Sequence, residues 1–194
     1  MRLEPRSTLG APFGSVSAVP GFPGRGAILR ERADIGCLLL NAAVDATGII
    51  ALASKAVGID LPPVAGAVRT SEGLLGVWLS PRSWLVHCSI EDETALTARV
   101  NTAFPDKLVH AARFTDYLCW FDLSGPSSDD LLKEGGFVSL EQAGLAAGHA
   151  KRTLIAGITA IVVHEGESVW LIGVERSRAR YFADWLAASA RRVA

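Results

Sequence analysis

Tyr117-Leu118-Cys119-Trp120-Phe121-Asp122-Leu123-Ser124-Gly125-Pro126 is the stretch on which the reading of this chain turns. In an extended conformation Leu118, Trp120 and Asp122 share one side and Tyr117, Cys119, Phe121 and Leu123 the other, so the segment reads as a strand. Ser124-Gly125-Pro126 turns it. Ser127 or Ser128 then caps a short helix, Asp129–Glu134, that ends at Gly135-Gly136. Ser139–Gln142 reads as a further helical turn. His149–Ala156, Thr159–His164 and Ser168–Val174 read as consecutive strands separated by Gly157 and by Glu165-Gly166-Glu167, a meander suited to an antiparallel sheet. A last helix opens with Ser177 as its cap and runs to Ala190, with Tyr181, Phe182, Trp185 and Leu186 on one stripe. A fully buried Trp185 would cost about 3–5 kcal/mol to truncate.

The preceding half has a similar grammar. The apolar run Ile35–Val44 reads as a buried strand. Asp45, Ala46 and Thr47 offer caps for a helix over 47–57, with Ile49, Ile50, Leu52 and Ala53 on one face and Gly58 at its end. Leu61-Pro62-Pro63 forms a stiff, non-helical turn. Leu74–Leu79 and Ser83–Cys88 read as two strands joined at Pro81. Asp92-Glu93 opens a helix to residue 103, where carboxylates suit the positive end of the backbone dipole. Leu108–Ala112 is one more strand. Strand, helix, strand, strand, helix, strand is the ferredoxin-like split βαβ order. The expected architecture is α+β: a flexible or extended arm over residues 1–26, rich in Gly and Pro, followed by one domain of two such halves, 27–113 and 114–194.

Composition narrows the partners. The 194 residues are 49% hydrophobic and 20% charged, with a formal net charge of −1, which gives no general attraction to nucleic acid or to an anionic membrane. The longest apolar runs reach about half of the ~20 residues that a membrane span needs. Cys37, Cys88 and Cys119 sit in apolar runs without C-x-x-C spacing, as free thiols do in a reducing compartment. With no signal-peptide pattern at the start, the expected location is the cytoplasm.

No chemistry-bearing constellation stands out. Gly21-Phe22-Pro23-Gly24-Arg25-Gly26 lacks the preceding strand and the glycine spacing of a dinucleotide loop. Gly144–Lys151 lacks the Gly-Lys-Ser/Thr of a phosphate loop, and no G-x-S-x-G elbow is present. His87, His110, His149 and His164 lie at no metal-ligand spacing. Asp129, Asp130 and Glu134 are explained by the helix dipole and by solvation. The sequence therefore offers no catalytic, cofactor-binding or metal-ligating residue. The placement that asks for compensation is cationic. Arg176, Arg178 and Arg180 crowd the start of the last helix, where a cation is disfavoured by some tenths to about 1 kcal/mol. Glu175 or Asp184 would offset part of this, and a carboxylate on a partner chain is the functional alternative. Arg152, between apolar strands, poses the same question, and these four arginines are the candidate partner contacts.

Several short segments, in order and spacing, carry a resemblance: Gly58-Ile59-Asp60-Leu61-Pro62; Val77-Trp78-Leu79-Ser80-Pro81-Arg82-Ser83-Trp84-Leu85; Leu123-Ser124-Gly125-Pro126 with Asp130-Leu131-Leu132; Arg152-Thr153; and Val174-Glu175-Arg176-Ser177 leading to Tyr181-Phe182-Ala183-Asp184-Trp185-Leu186. With them the chain resembles the gamma subunit family of heterotetrameric sarcosine oxidase. The resemblance implies a fold similar to the folate-binding domain of the glycine-cleavage aminomethyltransferase. It also implies a four-chain complex that oxidises the N-methyl group of sarcosine, reduces oxygen to hydrogen peroxide and passes the one-carbon unit to tetrahydrofolate. In such a complex the alpha and beta subunits would hold FAD, FMN, NAD and tetrahydrofolate, and the delta subunit zinc; this chain would hold none of them. One departure stands out. Where the family commonly has Asp-x-Ser before the middle strand, this chain has His110-Ala111-Ala112-Arg113-Phe114-Thr115, which leaves room for an oxidase of another N-methylated amino acid. The alternative from a different class is a stand-alone folate-binding or aminomethyltransferase-like protein.

Overall fold

The computed structural model describes residues 6–24, 26–43, 47–106, 108–136 and 144–192. In chain order the elements are β1 (Val16–Ala18), β2 (Ile28–Arg32), β3 (Ile35–Ala42), α1 (Thr47–Val57), β4 (Val68–Ser71), β5 (Leu74–Ser80), β6 (Ser83–Ser89), α2 (Glu93–Ala103), β7 (Val109–Arg113), β8 (Leu118–Ser124), α3 (Ser128–Glu134), β9 (His149–Ile155), β10 (Ile158–Gly166), β11 (Val169–Glu175) and α4 (Ala179–Ala190). They form two compact units, one of residues 35–116 and the other of residues 1–34 together with 117–194.

The unit of residues 35–116 is a five-stranded antiparallel sheet in the order β4-β5-β6-β3-β7. Without β4 it is the ferredoxin-like arrangement expected from the sequence, and β4 extends it at one edge. Its core gathers Leu38 and Leu40 of β3, Trp84 and Val86 of β6, Ala53 and Val57 of α1, and Leu96 and Val100 of α2. In α1 the inward face is Ala53 and Val57 with Ile49 and Ile50 partly buried, whereas Leu52 points to solvent. Gly58 ends the helix in the left-handed conformation, φ +90°, the position that favours glycine. The buried indole of Trp84 donates to the Pro62 carbonyl at 2.9 Å, which fixes the Pro62-Pro63 turn on the core. Asp45 and Ala46, read as possible caps of α1, lie outside the described residues, as does the turn read at Ser139–Gln142.

The other unit is a six-stranded antiparallel sheet in the order β1-β2-β8-β11-β10-β9. Its internal plan repeats the first: β8, α3, β9, β10, β11 and α4 follow one another as β3, α1, β4, β5, β6 and α2 do, and the strand neighbours correspond. The place that β7 takes beside β3 is taken beside β8 by β2, which arrives from the N-terminal side of the chain. The boundaries therefore differ from the expected halves of 27–113 and 114–194, because residues 27–34 complete the sheet of the later half. Pairing with a strand about 90 positions away leaves no local signature in five residues.

The segment read as an arm is tied to this sheet. β1 forms a hairpin with β2, and the Glu31 carboxylate, only 2% exposed, accepts from Ser7 Oγ at 2.8 Å, Leu9 N at 3.3 Å and Cys119 Sγ at 3.4 Å. On the other face Arg32 bonds Asp34 at 2.8 Å and Asp122 of β8 at 3.1 Å. Gly125 takes φ +109°, and a Cβ there would meet the Gly26 carbonyl at 2.6 Å. Only glycine permits the β8 turn to close on that backbone.

Helix α4 starts later than the sequence suggests. Arg176–Arg178 form a 3-10 turn, Arg178 occupies the cap position, and no side chain caps the helix. Its buried face is Ala179, Phe182, Ala183, Leu186, Ala187 and Ala190. Tyr181, placed on that stripe by the sequence, is 58% exposed, and Trp185 is half-buried, its ring against Gly135 and 6.0 Å from Phe182. Small alanines let α4 sit close to the sheet, and Phe182 and Leu186 fill the space between them. Accordingly Phe182→Ala should lower the unfolding free energy by about 3–5 kcal/mol and Tyr181→Ala by no more than about 0.5 kcal/mol, read from urea midpoints. Equal losses at the two positions would contradict this packing.

Candidate partner-binding site

Two elements place the candidate arginines. Arg152 lies on β9 opposite Ile161 of β10 and is exposed. Arg176, Arg178 and Arg180 lie on the 3-10 turn and the first turn of α4. Arg176 is half-buried: its guanidinium donates to the Arg6 carbonyl at 2.9 Å, and its backbone N–H to the Tyr117 carbonyl at 2.9 Å. Arg178 and Arg180 are exposed, and no ion pair to Arg152, Arg178 or Arg180 occurs among the described residues. The Asp184 compensation open to Arg180 is therefore not formed. The structure sets Arg178 at the corner where β9, β10 and β11 meet the start of α4, with Arg152 on β9 within electrostatic reach of the neighbouring Tyr117; it ties Arg176 to the Arg6 carbonyl and leaves Arg180 on the helix surface.

That corner has a defined geometry. A depression of about 450 Å³ is lined by Ala156, Gly157, Ile158, Thr159, Glu175, Arg178 and Tyr181. Its floor is the two-residue β9–β10 turn, in which Ala156 and Gly157 have φ +51° and +75°, the form that suits the twist of a hairpin. The Tyr117 hydroxyl donates to Glu175 at 2.9 Å. That hydrogen bond and the carboxylate charge raise the Tyr117 pKa, while the positive charge of Arg152 pulls the other way. Arg152 and Tyr117 thus sit within electrostatic reach of each other.

Several other titratable groups are engaged internally. Glu93, 1% exposed, accepts from Arg113 Nε at 2.9 Å and from the Thr115 hydroxyl, which in turn accepts from Cys37 N at 2.8 Å. These are residues of the segment that departs from Asp-x-Ser, and Arg113 and Thr115 serve there to hold α2 on β3 and β7. Asp129 accepts from the Trp170 indole at 2.8 Å, so its role is a specific bond in addition to the dipole interaction read from sequence. His164 stacks on Trp170 with ring centroids 4.0 Å apart and places Nδ1 at 2.7 Å from the Leu145 carbonyl. His149, its cross-strand neighbour, has Nδ1 near the Ala147 carbonyl. Among the described residues no group of three or more His, Cys, Asp or Glu is arranged to hold a metal ion. Sequence reasoning missed Glu31, Glu93 and the Arg32–Asp122 pair because each joins residues distant in the chain, and a single buried acid carries no motif.

The three thiols are buried and free. Burial pushes the Cys88 pKa up to about 12, with Glu93 and Asp92 adding to the effect. Burial likewise raises Cys37, with Cys88 and Glu93 contributing, and Cys119, with Glu31 contributing. The folded-state values exceed those of an unfolded thiol, so this contribution to stability is intact below the unfolded value of 9.0 and is lost as pH rises toward 12. A maleimide should therefore label the native chain slowly at about pH 7.5 and all three thiols rapidly in denaturant, and urea midpoints should fall above about pH 9. Fast labelling of the native chain at neutral pH would contradict it.

Comparison with known proteins agrees with this architecture. The family model for "Sarcosine oxidase, gamma subunit family" matches residues 41–191. A chain of the heterotetrameric sarcosine oxidase from Corynebacterium sp. U-96, solved in complex with pyrrole 2-carboxylate, superposes with a TM-score of 0.79 at 24% identity, over 87% of this chain and 86% of that one. The glycine cleavage system aminomethyltransferase T from Bartonella henselae superposes with a TM-score of 0.60 at 13% identity, over 78% of this chain and 43% of that one. The chain thus corresponds to under half of that transferase's length. No curated protein matches the sequence.

Proposed function

The chain belongs to the sarcosine oxidase gamma subunit family, and we propose that it is the non-catalytic gamma-like subunit of a heterotetrameric sarcosine oxidase. The observation that carries this reading is the family match over residues 41–191 on a fold shared with a chain of such an oxidase. In this proposal the complex oxidatively demethylates sarcosine, forms hydrogen peroxide and passes the one-carbon unit to tetrahydrofolate. FAD, FMN, NAD and tetrahydrofolate belong to the alpha and beta subunits and zinc to the delta subunit, and the assembly works in the cytoplasm. Among the described residues no helix is long and apolar enough to cross a membrane.

The chemistry of this chain supports a structural role within the complex. Buried protonated thiols are poor nucleophiles at neutral pH, and the buried acids Glu31 and Glu93 are taken up by hydrogen bonds that hold strands and helices together. Exposed arginines beside tyrosines are the residue types that carry binding energy at protein interfaces. Co-expression with the other three subunits from the same organism, with a tag on this chain alone, tests the reading. Recovery of a flavin-containing assembly with one copy of each subunit, active on sarcosine, is expected; a chain recovered alone would overturn it. Activity of that assembly on another N-methylated amino acid in place of sarcosine would revise the substrate and leave the subunit role standing.

The likeness to aminomethyltransferase T favours one second reading, a folate-binding or aminomethyltransferase-like protein that acts alone. Titration calorimetry of the isolated chain with tetrahydrofolate separates the two. The subunit reading predicts no binding heat and an unchanged melting temperature, whereas saturable heat with a raised melting temperature would favour the folate-binding protein.

A further inference from the structure

The corner where β9, β10 and β11 meet the start of α4 combines two features that a solvent-facing surface has little reason to combine. Three of the chain's exposed large apolar or aromatic side chains gather there: Tyr117 at 50%, Leu154 at 58% and Tyr181 at 58% exposure. Their proximity follows from the strand register and the hydrogen bonds. Leu154 stands opposite Thr159, Thr159 and Tyr181 line the same depression, and Tyr117 bonds to Glu175 on its rim. Arg178 lies in the same lining, and Arg152 sits two residues before Leu154 on the same face of β9, within electrostatic reach of Tyr117. Neither arginine has an ion-pair partner among the described residues.

We propose that this corner is the surface on which a larger subunit of the oxidase docks, by a segment that sets carboxylate groups against Arg178 and Arg152 and an apolar side chain into the depression lined by Thr159 and Tyr181, beside Leu154. The proposal rests on the subunit reading above and gives it a location. Charge complementarity selects the partner chemistry. The free charges at the corner are cations, and its one carboxylate, Glu175, is already bonded to a tyrosine hydroxyl. A guanidinium pairs in a fork with carboxylate, and it is stronger once the partner excludes water. Tyr117 and Tyr181 supply broad, stiff, amphipathic contact area of the type that dominates interface energies. The hydrogen bond to Glu175 holds the Tyr117 ring before any partner arrives, so little side-chain freedom remains to be lost on binding.

The test uses the co-expressed four-chain complex. Tyr181→p-benzoylphenylalanine should cross-link to a larger subunit on illumination, whereas Val64→p-benzoylphenylalanine, at a residue 62% exposed in the other unit, should not. Arg152→Glu with Arg178→Glu should weaken association with the other subunits at least about tenfold, and raising the salt concentration should weaken the wild type in the same direction. Both positions are exposed, so the double variant should melt at the wild-type temperature. If wild type co-purifies while the double variant binds equally well, the docking site is wrong and the subunit reading stands. A cross-link from position 181 only to a second copy of this chain, or to no chain, likewise overturns the docking site alone. If wild type does not co-purify, both fall.

Discussion

The pairing of β2 with β8 is the constraint on which the later unit depends. β8 is a central strand, with Cys119, Phe121 and Leu123 facing the core and β11 bonded along one side. Its other side needs a partner, because an open row of backbone donors and acceptors invites pairing with other chains. Among the described residues after β8, the strands β9, β10 and β11 all lie on the β11 side of the sheet. β2 fills the place from before residue 35, with Ile28 to Glu31 in register with Ser124 to Phe121. Arg32 then reaches across to Asp122, and Glu31 gathers Ser7, Leu9 and Cys119 on the core side. One short strand thereby anchors the N-terminal segment, closes the sheet and fixes where the sequence of the other unit can be inserted.

This arrangement explains what was legible in the sequence and what was not. β3, α1, β5, β6, α2 and the strands β8 to β11 declare themselves by local periodicity and by Gly or Pro punctuation, and each forms close to where it is expected. The repetition of one plan in two units was not visible as repeated residues, because a ferredoxin-like unit asks only for an order of strands and helices and for apolar positions at the right period. The ownership of β2 was hidden for a different reason. Ile28-Leu29-Arg30-Glu31-Arg32 alternates, but its inward positions hold one leucine and one acid, and Glu31 is acceptable inside only because three donors from distant segments converge on it. The turns were partly hidden as well. Glu167 and Ser168 adopt φ +39° and +60° without the Asn-Gly or Asp-Gly that would have marked a two-residue hairpin. Tyr181 lies one position outside the buried stripe of α4, whose inward residues are Ala179, Phe182, Ala183, Leu186, Ala187 and Ala190.

The four arginines show how structure separates residues that a sequence groups together. Three of them look alike on paper, being crowded into five positions. Arg176 is spent on a backbone carbonyl inside its own unit, Arg180 stands on the helix surface, and Arg178 joins Arg152 from another element beside two tyrosines and a leucine. The buried acids and thiols, by contrast, are used in holding strands and helices together. That use of its buried groups fits the supporting role proposed for this chain.

The closing role of β2 is open to a direct measurement, amide hydrogen exchange of the full-length chain followed residue by residue. If β2 completes the sheet, the paired amides of residues 28–31 exchange only through the same opening that releases Leu118–Ser124 and Val169–Glu175, with matching free energies. Exchange of residues 28–31 at the rate of a surface loop, orders of magnitude ahead of Leu118–Ser124, would contradict the account.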